Sequence, residues 1–216
     1  MITDNQLRET VQTELNWEPS LNASDIGIAA KSGVVTLTGH VPSFAQKYSA
    51  EAAARRVKGV KAVAEELKVR LPQSVNHNDT DIATAIVHRF NWDLQIPSDR
   101  VKAMVEKGWV TLSGEVDWQF QKEAAMNHVR YMTGVTGVSD QITVKARVDT
   151  KNIARDIDSA LDRSWFFDPE TIDVTADGGR VKLTGTARTP TDRMLAAEAA
   201  WAAPGTTYVE NDILVV

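Results

Sequence analysis

Histidines are the first residues in this chain to test for chemistry, and the four present, His40, His77, His88 and His128, are poorly spaced for it. No two stand four apart on one helical face and no HExxH occurs, so the usual way a helix offers two imidazoles to zinc is missing. The chain also lacks GxxxxGK[ST], GxGxxG and GxSxG, which removes the phosphate-cradling loop, the dinucleotide turn and the nucleophile elbow. Zero cysteines exclude disulfides, thiolate catalysis, zinc ribbons, iron–sulfur ligation and attachment of lipid to an N-terminal Cys. Carboxylates are abundant, but most fall at solvent-facing helix positions or in caps rather than as an acid/base pair. These residues predict no enzyme, no metal site and no cofactor.

What remains is the chemistry of binding. With 24 Lys+Arg against 29 Asp+Glu the net charge is −5, so there is no global basic field to attract nucleic acid. One local cluster stands out, Arg55, Arg56, Lys58 and Lys61, where anionic lipid headgroups could be met at about 1 kcal/mol per cation. The alternative for these cations is structural: charge complementing a helix C-terminus, with Lys47/Glu51/Arg55 forming i,i+4 pairs. Six tryptophans against three tyrosines add a second set of residues to place.

Placing them requires the elements, and those are set by an internal repeat. Val34-Val35-Thr36-Leu37-Thr38-Gly39, Trp109-Val110-Thr111-Leu112-Ser113-Gly114 and Arg180-Val181-Lys182-Leu183-Thr184-Gly185 are one pattern, recurring at 75 and then 71 residues. Gly33, Gly108 and Gly179 keep the same offsets, as do Gly59, Gly134 and Gly205, and the apolar triples Leu7/Val11/Leu15, Ile82/Ile86/Phe90 and Ile153/Ile157/Leu161. Three units are expected, over residues 1–72, 76–147 and 148–216.

Each unit opens with apolar residues at i, i+4 and i+8, one face of a helix, with Thr3/Asp4, Asn78/Asp79 and Asp149/Thr150 as N-cap candidates. Alternation follows in Ile26/Ile28/Ala30, Val101/Ala103/Val105 and Ile172/Val174/Ala176, which is a strand. A glycine turn joins it to a second strand, taken as the central one, with Val35/Leu37, Val110/Leu112 and Val181/Leu183 inward and Val34, Trp109 and Arg180 on the reverse face. An Ala-rich second helix runs from about Ser43 to Val57, Trp118 to Met132 and Thr189 to Ala203, with the following glycine expected as its C′ residue. A last strand, with Leu67/Val69/Leu71, Ile142/Val144 and Ile213/Val215 inward, returns by a right-handed crossover to lie parallel to the second. The fold class is therefore α+β: three tandem αββαβ units, each a three-stranded mixed sheet with two helices packed on one face.

On this frame the tryptophans separate. Trp17 and Trp92 share one repeat position just after the first helix, with Trp165 two places off it, and are expected to cap the core. Trp118 stands with Phe120 at the start of a second helix, where the other units have Ser43 and Thr189, so a ring sits where a cap is normal. Amphipathic aromatics at such an edge suit a membrane interface or a partner surface, with packing between units as the alternative. Trp109 on the reverse sheet face and Trp201, aligned with Arg55 and Arg130, are interface candidates. Charge also divides unevenly: residues 4–72 hold nine basic and eight acidic side chains, 78–147 eight and nine, and 149–216 seven and twelve. The first unit alone could present a basic patch.

A unit of this kind, with Gly33-Val34-Val35-Thr36-Leu37-Thr38-Gly39-His40-Val41 and Val57-Lys58-Gly59-Val60-Lys61-Ala62-Val63, resembles the BON domain. Residues Gly108 to Val116 and Gly134-Val135-Thr136-Gly137-Val138 repeat the resemblance, while the third unit departs from it with Ala187 for the final Val and Gly205-Thr206-Thr207 for Gly-Val-x. The resemblance implies a non-catalytic, envelope-associated module found in periplasmic osmotic-stress proteins, some secretins and mechanosensitive-channel-like proteins, with phospholipid as its ligand. It brings no catalytic residues, and its recurring glycines fall on Gly39, Gly114 and Gly185 as structural positions. The expected partners are an anionic phospholipid or membrane surface, with a second copy of the chain or an envelope protein as the alternative, and no nucleic acid. No uncharged apolar run approaches the roughly 18–20 residues that span a bilayer, and Met1-Ile2-Thr3-Asp4-Asn5-Gln6 shows no signal-peptide character. With Met1 as the native start the expected location is the cytoplasm; the resemblance implies the periplasm.

Overall fold

A computed structural model describes residues 3–72, 78–145, 152–163 and 171–215. In chain order the first repeat forms α1 (Asp4–Trp17), β1 (Ile26–Lys31), β2 (Val34–Val41), α2 (Phe44–Arg56) and β3 (Ala62–Val69). The second forms α3 (Asp79–Trp92), β4 (Val101–Glu106), β5 (Trp109–Val116), α4 (Gln119–Arg130) and β6 (Gly137–Val144). The third forms α5 (Ile153–Asp162), β7 (Ile172–Asp177), β8 (Arg180–Ala187), α6 (Pro190–Ala202), β9 (Tyr208–Asn211) and β10 (Leu214–Val215). The chain divides into two compact units, one of Met1–Arg89, Ala103–Leu112 and Met126–Asp140, the other of Phe90–Lys102, Ser113–Ala125 and Gln141–Val216.

In the first repeat Thr3 and Gln6 form a capping box that starts α1: Thr3 Oγ1 accepts from the Gln6 amide at 3.3 Å, and Gln6 Oε1 accepts from the Thr3 amide at 3.0 Å. Leu7, Val11 and Leu15 then bury one face of the helix. β1 pairs antiparallel with β2 from Ile26↔Gly39 to Lys31↔Val34, and β2 pairs parallel with β3 from Val34↔Ala62 to Val41↔Val69. The second strand is thus central, and the helices lie on the face that presents Val35, Leu37 and Leu67. The hairpin turn Ser32-Gly33 has two successive positive φ values, 52° and 84°, the twist that matches a two-residue turn to its strands. On α2, Ala50, Ala53 and Ala54 are wholly buried. Their small side chains let the helix close onto the sheet, and larger ones there would overpack the core at about 1–3 kcal/mol.

Gly59 does not take the C′ position the sequence suggested. α2 ends at Arg56 with Val57 as C-cap, and the Val60 amide donates to the Val57 carbonyl at 3.1 Å, so Gly59, at φ 99°, is the third residue of a separate turn. Gly134 (φ 92°) in Met132–Val135 and Gly205 (φ 96°) in Ala203–Thr206 repeat this. A type II turn demands positive φ at that residue, and Pro204 before Gly205 is the residue such a turn prefers.

In the second repeat the sheet order is β4-β5-β6. Asn78 and Asp81 form the capping box, with Asn78 Oδ1 accepting from the Asp81 amide at 2.9 Å. Asp79 reaches the β4–β5 turn, accepting from the amides of Lys107 and Gly108 at 2.8 and 2.9 Å. Asp4 does the same in the first repeat through the Ser32 amide at 2.9 Å. Ile82, Ile86, Phe90, Val110, Leu112, Val116, Ala125 and Val129 are all buried.

In the third repeat α5 is the shortest first helix, yet Ile153, Ile157 and Leu161 stay buried. Asn152 is its N-cap and makes no side-chain cap bond; the expected caps Asp149 and Thr150 lie outside the described residues. β7 and β8 pair antiparallel, and β9 and β10 both pair parallel with β8 in one register, Leu183↔Asn211 and then Leu214↔Thr186. They are one last strand interrupted at Asp212-Ile213. Ile213 is buried as expected, but Val215, expected inward, is exposed where the ladder is reduced to two residues.

Candidate functional site

Arg55 and Arg56 end α2, and both are already engaged within the fold. Arg55 meets Glu51 at 2.6 Å, one helical turn back. Arg56 reaches Glu14 at 3.1 Å and Glu18 at 3.0 Å, the two acids on either side of Trp17 in sequence. The Arg56 hydrogen bond, helped by Ser20, holds the Glu18 carboxyl below its ordinary value, and the two acids, Glu18 first, raise the Arg56 guanidinium. The four-cation cluster is therefore offset by three carboxylates. Lys58 and Lys61 are exposed and form no ion pair among the described residues. Lys61 lays its stem over the Gly33 turn while its backbone amide donates to the Gly33 carbonyl at 2.8 Å.

Trp17 and Trp92, expected to cap the core, are the last residues of α1 and α3 and expose 83% and 87% of their surface. Leu94, two residues past Trp92, is fully exposed as well. At about 100° per residue, Trp17 lies roughly 200° round the helix from Leu15, and Trp92 equally far from Phe90, on the side away from the sheet. That periodicity was present in the sequence and identifies both rings as surface residues. Trp165 lies outside the described residues.

Trp118 and Phe120, proposed for lipid, and Trp201, proposed for an interface, meet in the second compact unit. Together with Glu123 and Glu198 they line an open, mainly apolar cleft of about 390 Å³. α4 begins there without a side-chain cap from Trp118; instead Gln121 Oε1 accepts from the amides of Asp117 and Trp118 at 3.0 and 3.1 Å. Phe120 is half exposed. Trp109, the other interface candidate, lies across Gly137 of the neighbouring strand so closely that a Cβ on Gly137 would collide with its ring, yet it stays 49% exposed. The cross-strand pair at this position in the third repeat is Arg180 and Tyr208, with the guanidinium 4.3 Å from the ring centre.

Other charged groups are structural pegs. Lys47 Nζ donates to the Leu67 carbonyl at 2.8 Å, and Lys122 Nζ, its repeat equivalent, to that of Ile142 at 2.7 Å. Arg193, at the same position of the third repeat, donates to the Asn211 carbonyl at 2.8 Å. Each reaches from the second helix to the outer strand of its sheet. His40 Nε2 lies 3.1 Å from Arg70 Nη2, His88 is exposed, and His77 falls outside the described residues. Among the described residues no three His, Asp or Glu side chains are grouped to hold a metal ion, and no helix is long and apolar enough to cross a membrane.

A family model described as BON domain matches residues 3–70, 78–146 and 149–216. The chain is 31% identical over 146 residues to osmotically-inducible protein Y of Escherichia coli K12, a match covering 66% of this chain and 73% of that protein. The C-terminal domain of CdsD, a structural protein of the type III secretion system of Chlamydia trachomatis, aligns over 100% of both chains at 13% identity with a TM-score of 0.27, too distant to carry an argument.

Proposed function

The chain belongs to the BON domain family, with three tandem copies of its module, and from that premise we propose that it is a non-catalytic protein that docks on anionic phospholipid at a membrane surface, in envelope maintenance or the response to osmotic stress. Osmotic induction is stated in the name of the E. coli relative and is carried to this chain as part of the proposal. The observation that carries it is the pair Trp17 and Trp92, two exposed indoles at one repeat position, each closing a first helix. Indoles favour the boundary between headgroups and acyl chains, and withdrawing a large apolar side chain from water is worth roughly 1.5–3 kcal/mol. Near Trp17 in sequence, Glu14 and Glu18 hold Arg56, and Lys58 and Lys61 supply cations that no carboxylate offsets among the described residues.

Flotation of the full chain with phosphatidylglycerol vesicles tests this. Capture should exceed that by phosphatidylcholine vesicles and fall as salt rises, because screening weakens attraction between exposed charges. Equal recovery with both vesicles at every ionic strength would remove the anionic-lipid assignment.

A protein-interaction role is the second reading, favoured by the reverse sheet face of the second repeat, where Met104 and Trp109 are both exposed. Light scattering tests its self-assembly form, which a strict monomer at high concentration rules out.

A further inference from the structure

In the first compact unit the Arg130 guanidinium carbon stands 3.6 Å from the centre of the Tyr48 ring, so α4 of the second repeat seats a cation on an aromatic face of α2 of the first. Counting along the repeats, 75 residues carry Tyr48 to Glu123, and 71 carry Arg130 to Trp201. In the second unit those two residues line one cleft. The same two repeat positions therefore come together at both junctions, one in the second turn of a second helix and the other at the end of the next second helix. Each position occurs once more. Arg55 is the late position of the first repeat and Met194 the early position of the third, with 67% of the Arg55 side chain and 54% of Met194 exposed.

These two residues are chemically matched. Arg130 donates to Asn127 Oδ1 at 2.8 Å within its own helix and still covers Tyr48, because a guanidinium bonds through its edge and stacks through its face. Arg55 spends its edge in the same way, on Glu51 one turn back. Met194 offers such a plane a flexible, polarisable thioether, and Glu198, one turn further along α6, is an exposed carboxylate. Charge points the same way, with nine basic and eight acidic side chains in residues 4–72 against seven and twelve in 149–216.

We propose that the Met194 face of α6 docks on the Arg55 face of α2 in a second copy of the chain, repeating between copies the contact that Tyr48 and Arg130 make within one. The partner is a second copy because the surface required is the one this chain already uses between its own repeats. Such an interface joins two different patches, so copies add head to tail, closing into a ring or extending as a row. Part of the attraction is between exposed charges and weakens as salt rises. The proposal rests on the self-assembly reading and gives it a surface on the second helices, apart from Met104 and Trp109 on the reverse sheet face.

The experiment is sedimentation velocity on the full chain over a range of concentration and salt, with Arg55→Glu, Met194→Lys and an equimolar mixture of the two. The parent should grow in mass with concentration, less so at high salt. Each variant alone should associate about tenfold more weakly or worse, since both place like charges or lose the stacked plane at the contact. Both changes are at exposed positions, and denaturant unfolding checks that each variant folds as the parent does. The mixture should regain association, because each variant carries the surface the other lacks; an interface built from one patch on both copies would not recover. A parent that stays monomeric at high concentration overturns this proposal and the self-assembly reading together. Association undiminished in both variants, or a mixture no better than its parts, overturns the Met194–Arg55 contact and leaves that reading standing.

Discussion

The backbone carbonyl of Asp25 occupies the space in which a side chain on Gly39 would have to begin. Gly114 stands in the same relation to Arg100, and Gly185 to Thr171, all three with φ between 113° and 135°. The central strand therefore passes the entry of the first strand at backbone distance in every repeat, which is why the motif ends in glycine. Gly39→Ala should cost about 2–4 kcal/mol in denaturant unfolding, from strain at positive φ and the steric clash together. Gly178, where nothing lies within 4 Å of a Cβ and φ is +54°, should lose only about 1–2 kcal/mol on the same change. Equal losses would show that φ alone, and not the carbonyl, imposes the glycine.

Asp79 ties a helix start to a hairpin through two amides, while Asp4 uses one. Asp79→Ala should destabilise by roughly 1–2 kcal/mol and by more than Asp4→Ala, since the part-buried Gly108 amide would lose its partner while the Ser32 amide held by Asp4 is exposed to water. The third repeat has Thr150 at this position, outside the described residues.

The expected αββαβ order, with a central second strand and a parallel return, is legible because apolar spacing switches from i, i+4 to alternation at each boundary, as at Leu15 to Ile26 and Phe90 to Val101. The candidate site was less legible. The partners of Arg56 are not legible from spacing, because Glu14 on α1 and Glu18 just after it lie about forty residues away and no spacing rule reaches that far. Trp118 and Trp201 are eighty-three residues apart, so their shared cleft follows only from how the chain folds. Trp17 is different: its angle from the Leu7/Val11/Leu15 stripe is legible in the sequence and puts the ring on the outer side of α1.

Glu18 links stability to pH. Its carboxyl is held below the ordinary value by Arg56, so the pair contributes fully above pH 4.5 and is lost as pH falls through the lowered folded value. Glu18→Gln should thus be less stable than the parent at neutral pH, by no more than about 1 kcal/mol for a pair whose Arg56 side is half exposed. The two proteins should converge under acid; a constant gap down to pH 2 would contradict the linkage.

Asp158 on α5 runs the other way. Burial first, then Asp162 and Asp173, raise its carboxyl, so the charged form is disfavoured by folding. Stability from the neutral form is present below the ordinary carboxylate range and is lost as pH rises through the raised value. Asp158→Asn should therefore melt slightly higher than the parent at pH 7 and gain nothing at pH 3; a lower melting temperature at pH 7 would contradict the sign.

Quenching of tryptophan fluorescence by brominated phosphatidylglycerol vesicles reports directly whether Trp17 and Trp92 enter a membrane. The parent should be quenched, and Trp17→Phe with Trp92→Ser should lose most of that quenching while unfolding within about 0.5 kcal/mol of the parent, as changes at exposed positions do. Quenching that persists undiminished in the double variant, or none in the parent, would contradict docking through the first helices.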